Sequence, residues 1–190
     1  MGYVPPFTIS EKVVNLVAEI MERITLIDLV DVDTINPKLR RNNRIKTIQA
    51  SLAIENNSLS LDQVTAIIDG KRILGPCQDI KEVQNAYEAY ELLLDFDPYD
   101  VTSMLEAHRI LMNDLTKESG RFRSGGVGIF AGSQLVHMAP PAHLVIEQIH
   151  TLLGWAKDSE VHPLIKSCVF HYEFEFIHPF SERNEVEGIA

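Results

Sequence analysis

The sequence predicts an all-α bundle interrupted by one small β-hairpin. Apolar residues recur at helical spacing through most of the chain, and proline, glycine and capping signals punctuate those runs. Only the segment around 123–138 trades that period for glycine-rich, β-prone runs. At 190 residues with 45% apolar content, the chain can bury a full core, as one domain or as one domain plus an N-terminal extension.

After the Pro5-Pro6 entry, Val13, Val17, Ile20, Met21 and Ile24 mark a first amphipathic helix, and the stretch from Asp31 to Pro37 breaks the pattern. Ile45, Ile48, Leu52 and Glu55 follow at 3, 4, 3 spacing with Ser51 beside them, so a helix here carries a carboxylate out of its apolar stripe. A helix that simply ends at Asn56-Asn57 with an exposed glutamate in its last turn fits the same residues. Ser60 and Gln63 form a capping box for a short helix with Val64, Ile67 and Ile68, which stops at Gly70. Ile80, Val83, Tyr87, Tyr90 and Leu94 then form one stripe, and Met104, Leu105, His108, Leu111, Met112 and Leu115 another; both read as core faces, with His108 a packing residue rather than a ligand.

Two apolar runs between Arg123 and Met138 flank an Ala131-Gly132-Ser133-Gln134 turn and read as a hairpin. A lone hairpin is marginal unless it docks, so it is expected to lie over something, although glycine-rich hairpins also serve as plain connectors. Pro140-Pro141 opens a helix with Val145, Ile149, Leu152 and Trp155 on one side. In the last helix, Ile165, Cys168, Val169, Tyr172 and Phe176 would line one buried face.

That helix delivers His178 to a turn, because Pro179 biases the preceding residue away from helical dihedrals and cannot itself extend the helix. Imidazole titrates near neutral pH and can take a proton from a hydroxyl nucleophile, and the Glu182 carboxylate can hold a divalent cation through oxygen. A helix end with a capping histidine and a proline stop fits the same spacing. A net charge of −10 argues against a nucleic-acid footprint. No apolar run approaches the roughly 20 residues that span a bilayer, and no secretory signal opens the chain, so a cytoplasmic protein without a membrane partner is expected. Cys77 and Cys168 lack metal or redox spacing, with Cys168 on the expected buried face, so neither zinc nor a disulfide scaffold is expected.

The run Phe170-His171-Tyr172-Glu173-Phe174-Glu175-Phe176-Ile177-His178-Pro179-Phe180-Ser181-Glu182 resembles the lead-in and first half of the Fic (Fido) signature, H-P-F-x-[D/E]-G-N-G-R followed by a second arginine. The order of elements from about Val4 to Glu182 is similar as well. Ser51-Leu52-Ala53-Ile54-Glu55-Asn56 resembles the inhibitory motif [S/T]-x-x-x-E-[G/N] that precedes some Fic cores. The hairpin, with Val127, Gly128, Ile129, Leu135 and Val136, resembles the Fic flap, which holds an extended target segment by strand addition.

The resemblance implies a Fic-like helical bundle: residues 1–70 as an N-terminal helical extension with the inhibitory helix, and 71–190 as a core truncated after the His-Pro-Phe motif. It implies protein AMPylation, with ATP and Mg²⁺ as cofactors and a protein substrate, or the chain itself, as partner; a homo-oligomer is compatible with it. His178 would be the general base, Glu182 the Mg²⁺ ligand, and Phe180 and Asn184 would stand at the nucleotide site, Phe180 also anchoring the loop. Ser51, Glu55 and Asn56 would be inhibitory; in the family this glutamate pairs with the second motif arginine and blocks productive seating of the terminal phosphate. His171 matches a family position and reads as packing behind the motif.

Arg183-Asn184-Glu185-Val186 stands where the family has G-N-G-R, with only Asn184 shared. In the family those glycines let backbone N–H groups form a concave anion site, and the arginine neutralises phosphate. Arg183 and Glu185 bring side chains to that surface, Glu185 adds negative charge, and Val186 supplies no cation. The expectation is a chain that folds mostly as this core but transfers AMP poorly as it stands. The alternative is a non-catalytic helical module that keeps the flap as a peptide-binding edge. Phosphorylation, or transfer of another nucleotide or of phosphocholine, would run on the same scaffold.

Overall fold

The computed structural model describes residues 3–29, 37–131 and 134–181, with backbone alone at 28–29, 129–131 and 134–137. Among these residues seven helices follow in order: α1 (Glu11–Leu29), α2 (Pro37–Ile54), α3 (Leu61–Ile68), α4 (Cys77–Glu91), α5 (Val101–Leu111), α6 (Ala142–Asp158) and α7 (Pro163–Ile177). Between α5 and α6, β1 (Gly128–Ala131) and β2 (Gln134–Met138) pair antiparallel, Gly128 against Met138 and Ala131 against Gln134, with a register shift between Ile129 and Phe130. The expected break over Asp31–Pro37 lies outside the described residues except for Pro37, which opens α2. No helix of the described residues is long and apolar enough to cross a membrane.

Two apolar clusters hold the helices. Ile45 and Ile48 of α2, Val64 and Ile67 of α3, and Val83 and Ala86 of α4 enclose the first. It therefore runs across residue 70, the expected division between extension and core. Val145, Ile149, Leu152, Leu153 and Trp155 of α6 build the second with Ile177, and Val169, Phe170 and Phe174 of α7 pack against it. Contacts of α4 with α5 and of α5 with α6 join the two. The N-terminal segment straps onto the second cluster, where Phe7 meets Trp155 edge-on with ring centroids 6.1 Å apart. Nearby, the Tyr3 hydroxyl donates to the buried Glu173 carboxylate at 2.8 Å; partial burial first, then this carboxylate, pushes the Tyr3 pKa up to about 12.

Local signals account for several boundaries. The Ser60–Gln63 capping box is formed in both directions, and α3 ends with Gly70 at φ 74°, the Gly70 and Lys71 amides donating to Ile67 and Ala66 carbonyls. The α6 stripe is buried as its spacing predicts.

Four expectations are corrected. In α7 the buried residues are Glu173 and Ile177, whereas Tyr172, Phe176 and Cys168 are exposed. Apolar residues are spread round the helix among Lys166, His171, Glu173 and Glu175, so periodicity does not select a face, and Tyr3 satisfies a carboxylate on the inward side. His171 is likewise exposed, 3.9 Å from Glu175, not packed behind the motif. Leu94 is also exposed, because α4 stops at Glu91 and a 3-10 turn, Leu93–Asp95, carries the chain away. In α1 the residues Ile20, Met21 and Ile24 of the expected stripe are exposed.

Truncation of Ile149, fully buried in the second cluster, to alanine is expected to lower unfolding free energy by about 2–5 kcal/mol in urea titrations. Ser60→Ala should cost about 1 kcal/mol, because only the α3 cap is lost.

Candidate active site

The site is built where α7 ends. His178 closes that helix in the left-handed region (φ 46°, ψ 67°), a conformation unusual for a residue with a Cβ, and its N–H donates to the Phe174 carbonyl at 2.9 Å. Pro179 explains why the helix cannot continue. The next ring locks the turn in place: Phe180 stacks on His108 at a centroid distance of 3.8 Å and 10°, and on Phe122 at 5.5 Å, with Phe174 at 6.1 Å.

Two groups that periodicity does not reveal hold this turn. Arg123, 3% exposed, donates through Nε to the His178 carbonyl at 2.7 Å and through its terminal nitrogens to Gly125, Pro140 and Ile177 carbonyls; its own N–H donates to the Pro179 carbonyl at 3.0 Å. The Glu118 carboxylate accepts from Ser124 at 2.6 Å and Ser181 at 2.5 Å, and those bonds, Ser124 first, hold its pKa below the usual carboxylate range. A signal was present in the sequence: Arg123 follows Gly120 and precedes Gly125-Gly126, so a cation sits in a stretch built for tight turns.

His108 is packing, as its stripe predicts. Its Nδ1 accepts the Gly120 N–H at 3.1 Å, so the neutral ring carries its proton on Nε2. Gly120 needs its freedom here, at φ 75° and with any added Cβ 2.9 Å from the Arg109 Cβ. Burial lowers the His108 pKa to about 4, against the pull of Glu118.

The end of α2 faces the same place. Asn56 takes φ 63°, and the Asn56 and Asn57 amides donate to Ala53 and Leu52 carbonyls, a Schellman ending. That geometry demands Gly or Asn at 56 and puts Glu55 at the helix cap. The following residues bolt the turn to α4: Asn57 donates to the Asp79 carbonyl and to Glu82 at 2.7 Å, while Ser58 donates twice to the Asp79 carboxylate.

Between the two helix ends lies a cavity of about 330 Å³, a volume suited to a small molecule or a side chain. Leu52, Glu55 and Asn56 line it from α2; His178, Pro179, Phe180 and Ser181 line it from the motif turn; His108 and Met112 form part of the wall between. Ser51 is exposed on α2 and outside that lining. Val127 is buried and Gly128 half-buried at the hairpin's start; Ile129, Leu135 and Val136 lie within its strands. Glu182 and Asn184 lie outside the described residues.

A family model described as Fic/DOC family matches residues 98–189. Protein adenylyltransferase fic-1 of Caenorhabditis elegans is 26% identical over 161 residues, covering 77% of this chain and 30% of its own length. Protein adenylyltransferase Fic of Nematostella vectensis is 27% identical over 153 residues, 72% of this chain and 34% of its own. Thus the chain spans about a third of the curated relatives it matches. Among solved structures, a Fic family protein from Desulfovibrio desulfuricans G20 superposes with TM-score 0.90 at 56% identity, over 95% of this chain and 55% of that one. A Fic domain containing signaling protein from Bacteroides thetaiotaomicron shares the fold at 19% identity and TM-score 0.67, over 78% of this chain and 62% of its own.

The depressed His108 pKa carries a sign. The unfolded histidine binds protons that the folded one refuses, so its stabilising effect is complete above pH 6.5 and falls as pH drops toward 4. Chemical denaturation from pH 7 to pH 4 should show a loss of at most about 3 kcal/mol from this group, flattened in His108→Gln. Glu118 acts in the same direction at lower pH, its contribution vanishing as pH falls through its depressed folded pKa.

Proposed function

Because this chain belongs to the Fic/DOC family, we propose that it carries the base and the regulatory helix of a protein adenylyltransferase. The observation that carries the reading is that His178 and Glu55, remote in sequence, line one cavity. His178 takes the proton of a Ser, Thr or Tyr hydroxyl on a protein substrate, or on this chain, as that oxygen attacks the α-phosphorus of ATP and pyrophosphate leaves. The β1–β2 hairpin is the flap that aligns the acceptor, with Val127, Gly128, Ile129, Leu135 and Val136 as its strands. Phe180 acts as the anchor of the turn, its ring being taken up by His108, Phe122 and Phe174.

Glu55 is the inhibitory group, with Asn56 supplying the left-handed turn that presents it and Ser51 on the exposed side of the same helix. A carboxylate at a helix C-terminus sits at the unfavourable end of the dipole, so the helix itself does not favour it there. It stands where a triphosphate's negative charge would be repelled.

The described lining does not by itself fit an anionic nucleotide: Glu55, Glu82 and Glu175 face the cavity, and no Lys or Arg does among the described residues. Nor do the described residues contain a group of three or more His, Cys, Asp or Glu able to hold a metal ion, and Glu182, the expected Mg²⁺ ligand, lies outside them. Phosphate recognition therefore falls to the residues after Ser181, where Val186 replaces the motif arginine. Charge neutralisation dominates phosphoryl-type transfer, so transfer by this chain is slow. The acidic lining favours one second reading, a binding module whose flap captures peptide without nucleotide.

Incubation with ATP and intact-mass measurement should show slow AMP addition, faster in Glu55→Gly and absent in His178→Ala. Calorimetry with Mg-ATP should show tighter binding in Glu55→Gly than in the parent. Peptide binding indifferent to ATP in both proteins would hand the site to the binding-module reading.

A further inference from the structure

The guanidinium of Arg123 touches three separated parts of the chain at once. Nη1 donates to Gly125, which precedes β1, and Nη2 to Pro140, which follows β2. Nε and Nη2 donate to His178 and Ile177 at the end of α7. The two ends of the hairpin are joined to each other by the Ala139 N–H on the Val127 carbonyl at 3.0 Å. One planar cation, buried from water, is thus the common fastening of the hairpin's base and the turn that presents His178.

Its chemistry suits the task. The carbonyls at the end of α7 carry the negative pole of the helix dipole, which a cation satisfies. A rigid fork of five N–H donors in one plane can serve carbonyls from several directions, whereas a lysine has one nitrogen on a flexible stem. The left-handed backbone of His178 is the conformation such a fastening must maintain, because a residue with a Cβ otherwise prefers to leave it.

We propose that Arg123 is a positioning residue that locks the His178 turn to the base of the hairpin, so that a segment seated on the hairpin keeps a fixed relation to the imidazole. The inference rests on the reading of His178 as the base and of the hairpin as the acceptor's seat. The mechanical link itself is independent of turnover.

Hydrogen–deuterium exchange of the whole chain tests it. In Arg123→Lys, which keeps the charge and loses the fork, the His178 and Ala139 amides should both exchange at least about tenfold faster, with α4 and α6 amides unchanged. Acceleration at only one of the two sites, or an equal acceleration through α4 and α6, overturns the proposal. Met138→Pro perturbs the exposed end of β2 with Arg123 intact. It should accelerate the His178 amide as well, and an unmoved His178 amide overturns the link even if the lysine variant does not fold. These readings need no activity, so absence of AMP transfer would sink the functional reading and leave the link tested. Where transfer is measurable, Arg123→Lys should lower kcat on the order of 100-fold with KM for ATP unchanged, and an unchanged kcat overturns the positioning role.

Discussion

The charge of Arg123 has to be solvated by protein, and most of the architecture around the motif follows from that. Moving a guanidinium out of water is costly unless its donors are met, so carbonyls from the hairpin ends and from the last residues of α7 must converge on one plane. The convergence fixes where β1 leaves the α5–α6 connection and where β2 returns. Just beyond it, the Phe180 ring lies between His108, Phe122 and Phe174. The turn therefore has a polar clamp on its backbone and an aromatic clamp on its side chain, and the two constrain consecutive residues.

Across the cavity, α2 reaches a comparable rigidity by different means. Its Schellman ending stops the helix at a defined residue, and Asn57 and Ser58 then tie the chain to the start of α4 through Asp79 and Glu82. Asp79 lies in the first turn of α4, where a carboxylate complements the positive pole of the helix. The contrast with Glu55 is informative: one acid sits where the dipole welcomes it and the other where it does not.

What could be read in advance was whatever leaves a local or periodic trace. The Ser60 cap, the α6 stripe, the helix-to-turn change at His178 and the packing role of His108 all follow from neighbours within a few residues. The face of α7 could not be read, since apolar residues surround that helix and the choice was made by contacts with α6 and by the Tyr3–Glu173 bond, which links opposite ends of the chain. Arg123 and Glu118 escaped for a related reason. Their partners are backbone carbonyls and serine hydroxyls, groups that nearly every stretch of sequence offers, so nothing in the pattern marks a particular pair. Of the candidate site, His178, Phe180 and Glu55 were legible, while the framework that brings them to one cavity was not.

The Phe7–Trp155 contact gives the protein a single, very local optical reporter. Trp155 is the only tryptophan in the chain, and it lies in the cluster shared by α6 and α7 with the N-terminal strap against its edge. Its emission therefore reads the scaffold beneath the motif turn and the seating of the strap. The cluster that carries α2, and with it Glu55, contains no indole and packs Tyr87 and Tyr90 instead. Swinging of α2 away from α4 would be dark to tryptophan fluorescence while the other half of the molecule stays fully lit.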